Sequence, residues 1–302
     1  ILVLAYIVAK THGGTVYGGH KKMGEEMVTW LLAPIMAVFL FVVFYNITYK
    51  TFATNRYLIS GMDVRRHINQ QMSFAQVLTL QKDAFRAAID LNVAGSEEAR
   101  EQFLQVSAKM TQVQIPPSVG AADRQEISQA LNNLILEARK EIETSYPRYK
   151  NDVRALSIFG MFFNLVGDSA NAEKVLQEAL TISPYKQITA FDLIRAYLTQ
   201  KKYDQANDLS KKIFLAAPDF ETAMKLYVVC AIYDGKFGEA RATLASLNKQ
   251  IPVDGDVLSA LVEAKQYDTA IGLLVDLKQK QPALASQIDS YISSVIAKKN
   301  GK

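Results

Sequence analysis

The sequence predicts an all-α protein in which a transmembrane helix, preceded by the end of a truncated one, leads into an α-solenoid. The first observation behind this prediction is a fixed period, since Pro184, Pro218 and Pro252 are 34 residues apart (218 − 184 = 252 − 218 = 34). The second is an uncharged, apolar stretch at residues 28–47. Periods of this size are typical of stacked structural repeats, and a long uncharged stretch is typical of a membrane span.

We interpret the first 49 residues as the end of a membrane domain. Residues 1–9 are apolar and would be the last turns of a truncated helix, so we expect the chain to be a fragment of a longer protein. Residues 28–47 would form the span, because a helix of this length reaches about 30 Å, the thickness of the hydrocarbon core. Trp30 lies near one end, and Tyr45 and Tyr49 lie near the other, as interfacial anchors do.

Basic residues on the two sides of this span predict its orientation. Lys10, Lys21 and Lys22 precede it, whereas only Lys50 and Arg56 follow it closely. Loops rich in lysine and arginine tend to remain in the cytoplasm. We therefore expect a cytoplasmic loop before the span and an extracytoplasmic region after it.

Composition narrows the classes of function. The net charge of +4 is small and spread along the chain, so no basic stripe predicts binding to nucleic acid. The single cysteine, Cys230, is interpreted as a buried free thiol. His12 and His20 stand eight residues apart without nearby cysteines or a carboxylate pair, which is a weak signal for a metal site. No catalytic residue, metal or cofactor is expected in this chain.

The region after the span divides into a connector and several helices. Residues 50–72 form the polar connector, and residues 73–150 form a helical region with a degenerate repeat. Apolar spacing predicts helices over 73–92 and 123–145. Another helix would start at Ser96, whose hydroxyl would cap it ahead of two acidic residues.

Residues 151–282 carry the repeated pattern, and residues 283–302 would be a capping helix with a polar tail. Ala172, Ala206 and Ala240 each lie twelve residues before one of the three spaced prolines. A small residue lets two antiparallel helices approach closely, and a proline ends the second helix because it has no N–H to donate. A fourth, shorter unit ends at Pro282 and lacks about four residues of its first helix.

The first helices of these units would line a concave surface, which we call the inner face. Its apolar patches and basic residues suit an extended peptide or a glycan chain. The residues placed on it are Met161, Asn164, Phe191, Arg195, Leu198, Lys225 and Val229, together with Arg154, Ser157 and Ile232.

The residue pattern resembles the tetratricopeptide repeat (TPR). In the first unit Leu156, Phe159, Gly160 and Phe163 match the first helix of that motif. The order of three further segments resembles the C-terminal part of bacterial O-antigen ligase-like membrane proteins that carry a TPR tail. These segments are YKTFATNRYLISGM, AFRAAIDLNVAGSEEAREQFLQVSAKM and LTISPYKQITAFDLIRAYLTQKKYDQA.

This resemblance implies a location and a role. Members of that family join or polymerise glycans carried on a lipid in the bacterial cell membrane, using a loop that would lie upstream of this chain. The chain would then supply a membrane anchor, in contact with the lipid bilayer, and a repeat scaffold that binds a protein, a peptide or a glycan. The alternative is a non-enzymatic, membrane-anchored TPR scaffold that binds protein partners in envelope assembly.

Overall fold

The computed structural model describes residues 33–63, 72–93 and 95–301. Helices and the turns between them account for all of the described residues, with no strand among them, so the predicted all-α class is confirmed there. Predictions for residues 1–32, including the truncated helix, the cytoplasmic loop and Trp30, lie outside the described residues. The chain divides into two compact units, residues 1–53 and 54–302.

The first described helix has no buried residue over its apolar first half, residues 33–49, whereas its second half contains the buried residues Thr54 and Gly61. It comprises α1 (Ala33–Phe44), a π-helical turn (Tyr45–Tyr49) and α2 (Lys50–Met62). Together these form 30 residues of helix that are long and apolar enough to cross a membrane. The rings of Phe41, Tyr45 and Tyr49 stack along one side, with centroids 6.4 and 5.4 Å apart. The described part of the predicted span, residues 33–47, is therefore helical.

Three helices follow: α3 (Phe74–Asp90), α4 (Ser96–Met110) and α5 (Ala121–Tyr149). A capping box of Ser73 and Gln76 starts α3, which satisfies two backbone N–H groups at the helix end. The predicted cap at Ser96 was wrong, because its hydroxyl donates to the Ala88 carbonyl at 2.8 Å and accepts from Val93 N. Ser96 therefore fastens the α3–α4 turn and leaves α4 without a side-chain cap.

A buried carboxylate joins these three helices. Glu141 of α5 is almost fully buried and accepts hydrogen bonds from Arg86 of α3 at 2.9 Å and from Arg100 of α4 at 2.5 Å. Around it, Phe85 and Phe103 pack with ring centroids 5.6 Å apart. Two cations with direct hydrogen bonds compensate the desolvation of a single buried charge, so α3, α4 and α5 are held in one arrangement.

Four helical hairpins follow at a regular interval. Their first helices begin at residues 153, 187, 221 and 255, which are 34 residues apart in each case (187 − 153 = 221 − 187 = 255 − 221 = 34). The fourth first helix has nine residues against thirteen in the others, in agreement with the shortened unit expected from the sequence. The helices are α6 (Val153–Leu165), α7 (Ser169–Ile182), α8 (Gln187–Thr199), α9 (Tyr203–Ala216), α10 (Glu221–Tyr233), α11 (Phe237–Ser246), α12 (Gly255–Glu263) and α13 (Tyr267–Lys280).

The turn inside each hairpin has the same geometry. One residue per turn has a positive φ, namely Gly167, Lys201, Gly235 and Lys265. The next residue donates its N–H to a carbonyl five residues earlier, at 2.8 or 2.9 Å in all four turns. This is the hydrogen bond of a Schellman motif, in which a left-handed residue ends the helix. The 34-residue spacing is therefore present in backbone geometry as well as in side chains.

The helices of the first hairpin approach each other closely at Gly160. A Cβ added there would lie 2.3 Å from Cγ of Leu176, so only glycine fits. At the equivalent positions of the second hairpin the sizes are exchanged, with Ile194 on the first helix and Ser210 on the second, both buried. After the last hairpin, a 3₁₀ turn (Pro282–Leu284) leads into α14 (Ala285–Lys299), which packs against α13.

Candidate functional site

The inner face predicted from the sequence is built on α6, α8 and α10. Two hydrogen bonds fix α6 against α8: Ser157 with Thr189 at 2.7 Å, and Asn164 Nδ2 to the backbone carbonyl of Asp192 at 2.8 Å. The rings of Phe191 and Phe220 join α8 to the start of α10, with centroids 5.9 Å apart. Adjacent first helices therefore present their outward side chains along one surface.

On α6 the inner face is formed by half-buried side chains. Met161 and Asn164 are both partly accessible. The amide of Asn164 is used structurally, since its nitrogen bonds to α8 and its buried oxygen has no hydrogen-bond partner. A buried amide oxygen without a partner is energetically unfavourable. Asn164 therefore orients α8, and Met161 provides the accessible contact surface on this helix.

On α8 the inner face is apolar at one end and charged further along. Ile188 is 70% exposed, and Phe191 is half-buried. Arg195 is exposed, and its guanidinium forms no ion pair with any residue that the structure describes. Leu198, one turn beyond, is half-buried. This helix combines exposed and half-buried apolar side chains with a cation that has no ion-pair partner among the described residues.

On α10 the predicted cation, Lys225, already forms ion pairs within the protein. Lys225 Nζ lies 2.5 Å from Asp254 Oδ2 and 3.8 Å from Asp256 Oδ2, and the hydrogen bond to Asp254 raises the pKa of Lys225. Asp254 also caps α12 by accepting from the backbone N–H groups of Asp256 and Val257. Lys225 thus ties α10 to the start of α12, while Val229 stays half-buried beside it.

Three further residues assigned to the inner face have structural roles. Ser157 is buried against Thr189, and Ile232 is 1% exposed and belongs to the core, so neither can contact a ligand. Arg154 is exposed, but it forms an ion pair with Glu101 at 2.6 Å. For Ser157 and Ile232 the assignment to an accessible face was wrong, because they lie on the sides of α6 and α10 that pack against neighbouring helices.

Three residues of this surface were missed from the sequence, namely Ile188, Phe220 and Asp192. Phe220, 39% exposed, packs on Phe191 and enlarges the apolar patch. Asp192 lies beside Arg195 on α8, and burial raises the pKa of its carboxyl group, an effect that the nearby Arg195 reduces. A helical wheel of α8 could have found Asp192, since residues 188, 192 and 195 share one side of the helix.

The inner face offers accessible aliphatic and aromatic side chains, together with the cation of Arg195 and the carboxylate of Asp192. Within the described ranges, no group of three or more His, Cys, Asp and Glu side chains could hold a metal ion. Cys230 is buried, and this burial raises its thiol pKa to about 12, so the thiol stays protonated and unreactive.

The chain matches no family model, and no curated protein is significantly similar to it in sequence. The resemblance to the TPR and to O-antigen ligase-like proteins therefore rests on the residue pattern alone.

Proposed function

We propose that this chain is a membrane-anchored TPR module whose inner face binds an extended peptide of a partner protein. The observation that carries the proposal is the set of four hairpins with one turn geometry and a 34-residue interval. Such hairpins stack their first helices side by side, which creates an extended surface for a ligand. On α8 and α10 that surface holds the contact between Phe191 and Phe220, with Arg195 nearby.

The same module fits the C-terminal part of an O-antigen ligase-like protein of the bacterial cell membrane. The apolar helix Ala33–Met62 supports an anchor in the lipid bilayer, and its stacked tyrosines suit a membrane interface. In this proposal glycan transfer is carried out by a part of the protein upstream of residue 1. The repeats, on the extracytoplasmic side, hold a partner near the membrane.

Site-specific photo-crosslinking tests the inner face. A photoreactive amino acid replaces Phe191 in one variant and Ile182 in the other, since Ile182 is 46% exposed on a second helix outside the inner face. With the full chain in bacterial membranes, we expect a discrete adduct from position 191 only. The adduct should be degraded by protease, and it should be lost when Arg195→Glu is added. Equal amounts of adduct from both positions, or no adduct from position 191, would contradict the proposal. An adduct that only a glycosidase cleaves would show that the ligand is a glycan and not a peptide.

Thiol labelling tests the anchor and the side on which the repeats lie. Cys230 is fully buried, so the native chain gives a low background. Tyr185→Cys adds a thiol at a residue that is 81% exposed. We expect the chain to remain in membranes after alkaline carbonate extraction, and a membrane-impermeant maleimide to label intact spheroplasts. Labelling only after lysis would place the repeats in the cytoplasm.

A further inference from the structure

A groove lies between the second helices of the third and fourth hairpins. Its volume is about 430 Å³, and it is lined by α11, the loop after it and α13. The groove is separate from the inner face, because α11 and α13 are second helices whereas the inner face is formed by first helices. Its floor is apolar and is formed by Ile251, Val253, Leu273 and Leu277, all half-buried.

The rim of the groove is mainly basic. It carries Arg241, Lys249 and Lys280 against one acid, Asp276. Arg241 forms no ion pair with a described residue, and Lys280 donates only to the neutral amide of Gln250, at 3.1 Å. Lys249 is paired with Asp219 at 2.5 Å, although that carboxylate is almost fully exposed. Two cations at the rim therefore lack a carboxylate partner among the described residues.

The dimensions of the groove limit what can occupy it. Along α13 the lining runs from Leu273 to Lys280, a distance of seven residue steps (280 − 273), which corresponds to about 10 Å at the rise of an α-helix. An extended chain advances about 3.3 Å per residue, so roughly three residues fit along this length. The volume is in the range of sites that bury a few side chains.

From these features we infer that the α11–α13 groove is a second docking site, which takes a short acidic peptide segment. One or two apolar side chains of the segment rest on the floor, and flanking carboxylates contact Arg241 and Lys280. Charge complementarity selects this occupant, since a basic segment would meet uncompensated cations. The inference does not depend on the inner face, and either site can fail without the other.

Fluorescence polarisation with designed peptides tests the inference. The protein is the full 302-residue chain in detergent micelles. The probe is a fluorescein-labelled octapeptide with two central leucines flanked by aspartates and glutamates. One matched peptide carries lysines in place of the acids, and another carries serines in place of the leucines. We expect the acidic, leucine-containing probe to bind at least about tenfold more tightly than either matched peptide.

Two charge-reversed variants locate the binding. Arg241→Glu combined with Lys280→Glu changes the rim, whereas Lys174→Glu combined with Lys212→Glu makes the same change of net charge at exposed residues outside the groove. We expect the first variant to weaken the probe about tenfold and the second to leave its affinity within about twofold. Circular dichroism melting should show both variants folded.

Four outcomes would overturn the inference. The first is no binding of the acidic probe at millimolar concentration, and the second is equal binding of the acidic and basic peptides. The third is an equal loss of affinity in both charge-reversed variants, because that result would show unspecific attraction to a basic protein. The fourth is weaker binding of the probe by Phe191→Ala with unchanged binding by the rim variant, because the probe would then bind at the inner face. That result would support the proposed function and contradict the inference about the groove.

Discussion

The first and third hairpins share one period and one turn, but they differ at the point where their helices meet. In the first hairpin, Gly160 faces Leu176 so closely that no Cβ would fit. The equivalent positions of the third hairpin hold Val228 and Leu244, both buried and both large. Because the distance between packed helices depends on the side chains at the contact, two large residues keep the axes further apart.

The hydrophobic core also divides into two parts, one on each side of this difference in packing. One cluster of buried residues extends from Ala75 on α3 through the first two hairpins to Cys230, and a second, smaller cluster extends from Phe214 to Val295. The closely packed half also contains the buried Glu141 network, whereas the other half contains the open α11–α13 groove. The repeat length is therefore constant along the array, whereas the closeness of helix packing varies.

The largest expected effect comes from breaking the ion network of the closely packed half. Glu141→Ala leaves Arg86 and Arg100 without their buried partner, and removal of one member of a buried pair typically costs about 3–5 kcal/mol. In the other half, Asp219→Ala removes the exposed partner of Lys249, and we expect little change. Urea unfolding of both variants measures the contrast. Similar midpoints for the two variants would contradict the ranking of the two halves.

Two glycine-to-alanine substitutions compare the closeness of helix packing in the first and third hairpins. Gly160→Ala places a methyl group against Leu176 and should destabilise the chain by about 2–3 kcal/mol. Gly238→Ala on α11 meets no atom within 4 Å, and should stabilise by up to about 1 kcal/mol because alanine favours helix. Combining Gly160→Ala with Leu176→Ser, which copies the small residue at Ser210, should recover part of the loss. Thermal melting checks all three variants, and no recovery would show that the close contact is not the cause.

Acid should weaken the first hairpin through the cap that Asp168 provides. Asp168 caps α7 and pairs with Arg139 at 2.6 Å, whereas the equivalent residues Lys202, Lys236 and Gln266 provide no side-chain cap. Burial alone would raise the Asp168 pKa, but hydrogen bonds from Asn171 and Arg139 outweigh it and lower the pKa below 3.8.

The sign of the pH dependence follows from this lowered pKa. The carboxylate contributes stability above pH 3.8, and this contribution is lost as the pH falls through the lower folded pKa. Asn keeps the capping oxygen but loses the charge that pairs with Arg139, so Asp168→Asn should cost up to about 1 kcal/mol at pH 7 and flatten the decline of the melting temperature below about pH 4. Parallel pH profiles for the variant and the native chain would contradict this assignment.

The left-handed turns provide a smaller test. Lys201 and Lys265 have positive φ where the first and third hairpins have glycine. A non-glycine residue in this conformation is strained by about 1–2 kcal/mol, which the greater unfolded-state entropy of glycine partly offsets. Lys201→Gly should therefore stabilise by up to about 1 kcal/mol. Lys174→Gly, in the interior of α7, should destabilise by about 1 kcal/mol. Destabilisation of both variants in urea would argue against the strained turn.

The smallest expected effect concerns the inner face. Because the pKa of Asp192 is raised by burial, ionisation of its carboxyl group increasingly destabilises the fold as the pH rises above 3.8. Asp192→Asn should raise the melting temperature slightly at pH 7, and the difference should vanish below the unfolded pKa. A variant less stable than the native chain at pH 7 would mean that the carboxylate has a stabilising partner.

Periodic features could be predicted from the sequence, whereas individual contacts could not. The 34-residue interval and the shortened fourth unit are visible because proline, alanine and apolar residues recur wherever helices end or approach. The role of Ser96 was missed because its carbonyl partner, Ala88, lies on the preceding helix. Lys225 looked like a free cation because nothing in its own unit reveals Asp254, which lies 29 residues further along (254 − 225).

Native-state hydrogen exchange tests the difference between the two halves most directly. Amides of α6 and α7 lie in the closely packed half, so we expect them to exchange only when the whole unit unfolds. Amides of α11 and α12 should exchange faster, by at least about tenfold, through local opening. Equal protection in the two halves, or stronger protection of α11 and α12, would contradict the account.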